Sequence, residues 1–181
     1  MVKKSIVLVW LLSLTFAAGA QAAASSTAEA MVKEYLTAVQ TEGMMAVSRY
    51  IHPDELKRFK DMLMPWVRND ASQKNEVIPA LFGPEATLAS VEALPPAQFL
   101  DAFMRIAGDQ LKEMTIGDCE IVGTVREKDM THVVTRVKAS VKEVQISKLT
   151  VVSAKPLGKE WKLMLSGELE GMAAAIGKTQ K

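Results

Sequence analysis

The sequence predicts an α+β domain, with N-terminal helices packed on an antiparallel sheet of about four strands. Two observations carry this prediction. Apolar residues recur with helical spacing over about residues 27–107, and from Met114 the period changes to two residues in a segment rich in Val, Ile and Thr. The sheet is expected over about 114–167, and a short C-terminal helix over about 168–176.

The first 22 residues have the features of a secretory signal peptide. Lys3 and Lys4 precede an apolar core from Ile6 to Phe16, and Ala20-Gln21-Ala22 fits the small-residue cleavage pattern. A membrane anchor is disfavoured because a spanning helix needs about 20 apolar residues. We therefore expect cleavage after residue 22, a single domain over 23–181, an exported protein that is periplasmic or secreted, and no stable membrane insertion after cleavage.

Composition narrows the classes of function. Cys119 is the only cysteine, so no internal disulfide is possible and an apolar core must supply the stability. The chain has 22 Lys and Arg against 21 Asp and Glu, a formal net charge of +1, and loss of Lys3 and Lys4 with the signal peptide leaves it near neutrality. This balance predicts no nucleic-acid partner.

The first helix is expected from about Thr27 to Thr41. Ser26 and Glu29 have the spacing of a capping box, in which each side chain accepts from a free backbone N–H. Gly43 is a suitable stop, and Met44–Ile51 is predicted to form a helical turn or two.

A second helix is expected to begin at His52-Pro53, because proline is tolerated in the first turn of a helix. Pro65 should kink or end it. Asn69–Glu76 is a polar break, and Val77–Leu94 should hold short helical pieces and loops. A strong helix then follows from Pro96 to Ala107, ended by Gly108.

Four strands are expected in the sheet region: Thr115–Arg126, Thr131–Val141, Val144–Lys155 and Glu160–Ser166. In the first strand, Cys119, Ile121, Gly123 and Val125 should share one face. In the second, Val133 and Val137 should face the helices. The opposite face of the sheet as a whole is predicted to be mainly basic, with Arg136, Lys138, Lys142 and Lys162. The join at Lys142-Glu143 contains no Gly, Pro or Asn, so one long bent strand is the alternative there.

The order of elements resembles that of the nuclear transport factor 2-like superfamily, which includes ketosteroid isomerase and the SnoaL-like proteins. The resemblance rests on a helical hairpin, a further helix and a strand meander that ends in Gly158-Lys159-Glu160-Trp161-Lys162-Leu163, and on Tyr35-Leu36-Thr37-Ala38-Val39 followed by Gly43. It implies a cone whose curved sheet encloses an apolar pocket, and it makes a homodimer through the sheet plausible. Fold alone does not assign an activity.

A small apolar ligand in that pocket would meet the residues expected to face the cone interior: Tyr35, Phe103, Val133, Val137, Trp161 and Leu163. The methionines on the helix faces are adaptable side chains that suit irregular cavities, although ordinary core packing is the simpler interpretation: Met31, Met44, Met45, Met62, Met64 and Met104.

No catalytic residue, metal site or cofactor is predicted. Catalytic members of the superfamily place acidic, His or Tyr residues inside the cone; the residues considered for such a role match no active-site motif: Asp101, Asp118, Glu120, Tyr35 and Tyr50. His52 and His132 lie too far apart in sequence to indicate a zinc site. Cys119 has no evident base and is expected to be a small buried residue.

The sequence thus predicts an exported, non-catalytic binding or interaction module. One alternative is a small isomerase- or dehydratase-like enzyme, which would require a buried Asp or Glu inside the cone near a Tyr or His. Another is a structural component of an envelope assembly.

Overall fold

The computed structural model describes residues 27–178, in which N-terminal helices pack against a curved four-stranded antiparallel sheet. The predicted α+β class is confirmed. The predicted signal peptide lies outside the described residues. The helices are α1 (Ala28–Glu42), a 3₁₀ helix (Met44–Arg49), α2 (Pro53–Gln73), α3 (Val77–Phe82), α4 (Leu88–Ala93), α5 (Pro96–Gln110) and α6 (Gly167–Lys178). The strands are β1 (Met114–Glu127), β2 (Met130–Val141), β3 (Val144–Leu157) and β4 (Glu160–Leu163).

Helix α1 begins one residue later than the sequence indicates. Thr27 is the cap, and its Oγ1 accepts a hydrogen bond from the N–H of Ala30 at 3.1 Å. The predicted capping box of Ser26 and Glu29 includes a residue outside the described part of the chain. The side chain of Glu29 accepts a hydrogen bond from Thr124 on β1. The first turn of α1 is therefore attached to the sheet.

Helix α2 continues through Pro65 to Gln73, so the expectation that Pro65 ends it is wrong. Phe59, Leu63 and Val67 are fully buried at a spacing of four residues, and this stripe runs past the proline without interruption. Pro65 itself lies on the exposed side, where water can replace the missing hydrogen bond. Packing therefore outweighs the local cost of proline. Helix α5 likewise passes Gly108 and ends at Gln110.

Three two-residue hairpins connect the strands in the order β1-β2-β3-β4. Their first loop residues are Lys128, Lys142 and Gly158, with φ of 53°, 54° and 62°. Val141 pairs with Val144, so Lys142-Glu143 is a tight turn and the alternative of one long bent strand is wrong. Pro156 and Leu157, predicted as turn residues, belong to β3 instead.

Strand β1 contains two register shifts, between Ile116 and Cys119 and between Ile121 and Gly123. Each shift changes which face the following residues occupy. Ile121 is opposite the buried Thr135, whereas Val125 is opposite His132 on the outer face and is exposed. The prediction that Cys119, Ile121, Gly123 and Val125 share one face is therefore wrong.

The helices and the sheet are joined where the 3₁₀ helix meets β4. Leu163 donates its N–H to the carbonyl of Tyr50 at 2.7 Å and accepts from the N–H of His52 at 2.8 Å. Ile51 thereby forms a parallel bridge with Leu163 and adds a short fifth element to the edge of the sheet. No helix within residues 27–178 combines the length and the apolar character needed to cross a membrane.

Candidate ligand-binding cavity

A cavity of about 370 Å³ lies between the inner face of β3 and β4, the helical layer and the start of α6. We call it the sheet cavity. Its apolar side chains come from every layer around it: Tyr35, Met44, Val47, Ile51, Met104, Val152, Leu163, Met164, Leu165, Leu169 and Met172. Thr150, Ser166 and Glu168 add a few polar groups. An apolar wall with sparse polar groups is typical of a small-molecule site.

Four methionines contribute to this wall: Met44, Met104, Met164 and Met172. The unbranched, polarisable methionine side chain adjusts its shape to whatever lies against it. Met44 and Met104 are among the methionines that the sequence predicts on helix faces. Met164 and Met172 are not, because they flank a chain reversal whose position depends on the pairing of β4 with the 3₁₀ helix.

Helix α6 closes one side of the sheet cavity. Its first turn is capped by Ser166, whose Oγ accepts from the N–H of Leu169 at 3.2 Å. Ala173 is buried, Leu169 packs on the core, and Glu168 forms an ion pair with Lys148 on β3. Among the side chains of α6 that the structure describes, Ala173 and Leu169 pack on the core and Glu168 makes a polar contact with β3.

A second polar contact of α6 centres on Arg58 of α2. Its Nη1 donates to Glu170 of α6 at 2.8 Å and to Glu55 at 3.2 Å. The side chain of Glu55 is only 10% exposed, and it also accepts from the N–H of Leu165 at 3.5 Å. A buried carboxylate on α2 thus connects, through one arginine, to the helix that covers the cavity.

Tyr35 is the one tyrosine that lines the sheet cavity. Burial, and secondarily the neighbouring Cys119, raises the pKa of its hydroxyl, which therefore stays protonated at neutral pH. Its ring makes an edge contact with Tyr50 at 5.6 Å between centroids. Tyr50 donates to Glu34 at 3.2 Å, and burial followed by the charge of Glu34 raises its pKa as well. Tyr35 therefore contributes a neutral side chain to the cavity wall.

The six residues predicted to bind a ligand lie in three different places. Tyr35 and Leu163 line the sheet cavity. Phe103 and Val133 are buried in the core, where Phe103 meets Phe59 edge-on at 5.5 Å. Val137 and Trp161 are half-buried outside the cavity lining.

The carboxylates considered for catalysis do not line this cavity. Asp118 and Glu120 are exposed and pair with Lys138 and Arg136 on the outer face of the sheet. Asp101 lies on α5 beside a different cleft. Among the described residues, the carboxylate that lines the sheet cavity is Glu168, which is exposed and paired with Lys148.

The surroundings of Cys119 and of the two histidines favour structural roles for all three residues. Burial, and then the charge of Asp118, raises the pKa of the Cys119 thiol, which is the opposite of what activates a nucleophile. His52 caps α2, its Nδ1 accepting from the N–H of Asp54 at 3.2 Å. His132 contacts Ser153 and Glu127 on the outer face. Within residues 27–178, no group of three or more His, Cys, Asp and Glu side chains is arranged to hold a metal ion.

The outer face of the sheet is less basic than its sequence suggests. Arg136 and Lys138 are each paired with an acid on β1. Exposed or half-buried apolar side chains lie among these pairs on β1, β2 and β3, and we call this surface the outer sheet patch: Val125, Val134, Leu149 and Val151.

Comparison of the chain with models of known protein families, with curated proteins and with solved structures gives no significant match. The resemblance to the nuclear transport factor 2-like superfamily therefore stays a prediction.

Proposed function

We propose that this chain is an exported, non-catalytic binding module that holds a small apolar ligand in the sheet cavity. The observation that carries the proposal is the methionine-rich apolar cavity between the sheet and α6. Its volume of about 370 Å³ lies within the range of about 300–1,000 Å³ that is usual for small-molecule sites. Export rests on the signal-like features of residues 1–22.

The shape of the cavity indicates the size and polarity of the ligand. A volume near the lower end of the usual range suits a compact molecule of one or two rings, or a short acyl chain. Tyr35 supplies one neutral hydrogen-bonding group. At about 0.3–0.5 kcal/mol per heavy atom, a ligand of about 12 heavy atoms would gain about 4–6 kcal/mol, which corresponds to a Kd between about 40 μM and about 2 mM.

A fluorescence titration with the apolar dye phenylnaphthylamine tests the proposal. Val152→Phe places extra volume on the cavity side of β3, whereas Val125→Phe makes the same change on the outer face, where that side chain is 59% exposed. Wild type and Val125→Phe should bind the dye equally, and Val152→Phe at least about tenfold more weakly. Equal binding by all three proteins would show that the dye binds elsewhere.

An isomerase- or dehydratase-like enzyme has less support. It requires a buried carboxyl group in the cavity within reach of a Tyr or His. Glu55 is buried but bonded to Arg58, and it does not line the sheet cavity. Glu168 lines the cavity but is exposed and paired.

We further propose that two copies associate through the outer sheet patch. The charged pairs around the patch are internally balanced, so a second copy meets no excess of like charge. At about 3.3 Å per residue and about 4.8 Å between strands, three strands of about 12 residues cover roughly 570 Å². Two such faces bury about 1,100 Å², which is near the lower limit of stable interfaces. The expected dimer is therefore weak.

Sedimentation equilibrium tests this association. Leu149→Glu lies in the patch, and Leu111→Glu makes the same change at an exposed leucine outside it. The dimer should be lost in Leu149→Glu and kept in Leu111→Glu. A wild-type protein that is monomeric at millimolar concentration would contradict the proposed dimer. Stable association with a different envelope protein through the same patch would instead favour a structural component of an envelope assembly.

A further inference from the structure

Two methionines in the described part of the chain are exposed, and one of them lies on the wall of the sheet cavity. Met172 on α6 is 39% exposed, and Met45 on the 3₁₀ helix is 46% exposed. Met172 lines the sheet cavity, whereas Met45 lines a separate cleft beside α4 and α5. Met172 therefore combines contact with solvent and a place on the cavity wall.

The other methionines of the cavity wall are better protected. Met104 is only 2% exposed, and Met44 and Met164 are half-buried. An oxidant dissolved in water must touch the thioether sulfur before it can react, so exposure decides the order of reaction. Of the four cavity methionines, Met172 should be oxidised first.

The part of α6 around Met172 is able to respond to a change in its polarity. Gly171 precedes it, and glycine is a poor helix former because its backbone loses the most freedom on folding. Glu168 and Glu170 attach this segment to β3 and α2 through ion pairs, and Ala173 is buried. A polar group at Met172 would thus act on a weak helix that covers an apolar cavity.

We propose that Met172 is an oxidation-sensitive site that regulates ligand binding in the sheet cavity, an inference that rests on the proposed function. A lone pair of its sulfur attacks one oxygen of hydrogen peroxide, so that an S–O bond forms and the O–O bond breaks. The sulfur loses two electrons to give the sulfoxide, and the peroxide is reduced to water.

The sulfoxide is polar, whereas the thioether that it replaces suits an apolar wall. An S=O group that faces the cavity without a hydrogen-bond donor is unfavourable, so the side chain turns to solvent or brings water into the cavity. Either change removes apolar contacts from the ligand. Methionine sulfoxide reductases restore the thioether, which makes the effect reversible.

Peroxide treatment of three folded proteins tests the proposal: wild type, Met172→Leu and the matched variant Met45→Leu. Leucine has nearly the volume of methionine and is not oxidised by peroxide. Peptide mass spectrometry gives the oxidation rate of each methionine, and phenylnaphthylamine titration gives the affinity before and after treatment. Cys119 is present in all three proteins, so its oxidation cannot explain a difference among them.

We expect Met172 and Met45 to be oxidised several-fold faster than Met104. Oxidised wild type and oxidised Met45→Leu should bind the dye at least about fivefold more weakly than before treatment. Oxidised Met172→Leu should keep the affinity that it had before treatment. Methionine sulfoxide reductases should return oxidised wild type to its original affinity.

Three results would overturn the inference: an unchanged affinity of wild type once Met172 is oxidised, an equal loss of affinity in Met172→Leu, or oxidation of Met172 no faster than that of Met104. Each of them leaves the proposed function intact, provided that the untreated protein binds the dye. An untreated wild type that binds no dye would instead overturn the proposed function and this inference together, so the titration before treatment tells the two failures apart.

Discussion

Replacing Arg58 with methionine should destabilise the protein and release α6. Methionine keeps much of the apolar stem of arginine but removes the donor that joins Glu55 to Glu170. Glu55 then stays buried with a single long hydrogen bond from Leu165, 3.5 Å in length. The consequence should be largest at the helix that covers the sheet cavity.

The expected magnitude follows from the exposure of the two partners. Breaking a fully buried ion pair typically costs about 3–5 kcal/mol, because a charge is left without compensation. Arg58 is 49% exposed although Glu55 is only 10% exposed, so solvent reduces this cost to about 1.5–3 kcal/mol. For a domain of this size the Tm should fall by about 3–10 °C.

Arg136→Met provides the matched control. Arg136 is 42% exposed and pairs at 2.8 Å with Glu120, which is 64% exposed, so its loss should cost under about 1 kcal/mol. Calorimetry gives the two Tm values, and amide hydrogen exchange should increase in α6 in the Arg58 variant only. The double variant Glu55→Leu/Arg58→Met should recover much of the loss, because no charge is then buried. Equal Tm shifts in the two single arginine variants would refute this explanation.

Two further predictions concern the sheet. Lys142→Gly should stabilise the protein by about 0.5–1 kcal/mol, because Lys142 has a positive φ of 54°, whereas Glu143→Gly should destabilise it by a similar amount. Chemical denaturation measures both free energies of unfolding. A more stable Glu143→Gly variant and a less stable Lys142→Gly variant would disprove the turn geometry. Alkylation of Cys119 at pH 8 should be slower than in the unfolded chain, because burial and Asp118 raise the thiol pKa. The Asp118→Asn substitution should partly restore the alkylation rate of Cys119. A pH–rate midpoint at or below that of the unfolded chain would contradict the raised thiol pKa.

The sequence predicted the class of the fold because long segments had one clear period. The strands around Val133 alternate regularly, and the stripe through Phe59 and Leu63 has helical spacing. Errors arose where tertiary packing outweighs a local rule, as at Pro65. They also arose where a backbone irregularity leaves no trace in composition, as in the two register shifts of β1 and the positive φ of Lys142.

The cavity was harder to predict than the fold. Tyr35 and Leu163 could be placed on its wall because each lies on the core face of its element. Met164 and Met172 could not, since their position depends on how the chain turns after β4. In the sequence, Glu55 and Arg58 look like an ordinary exposed ion pair within one helix. The packing of α6 against α2 buries Glu55 and brings Glu170 to Arg58.

The most direct test of the sheet cavity is methyl NMR of protein labelled at its 11 methionines, assigned by single Met→Leu variants and titrated with phenylnaphthylamine. The proposed function predicts shifts for the four methionines of the cavity wall, Met44, Met104, Met164 and Met172. Met31, Met62 and Met64, which pack elsewhere in the core, should stay unchanged. No shift at any cavity methionine, or shifts confined to the other three, would contradict a ligand site between the sheet and α6.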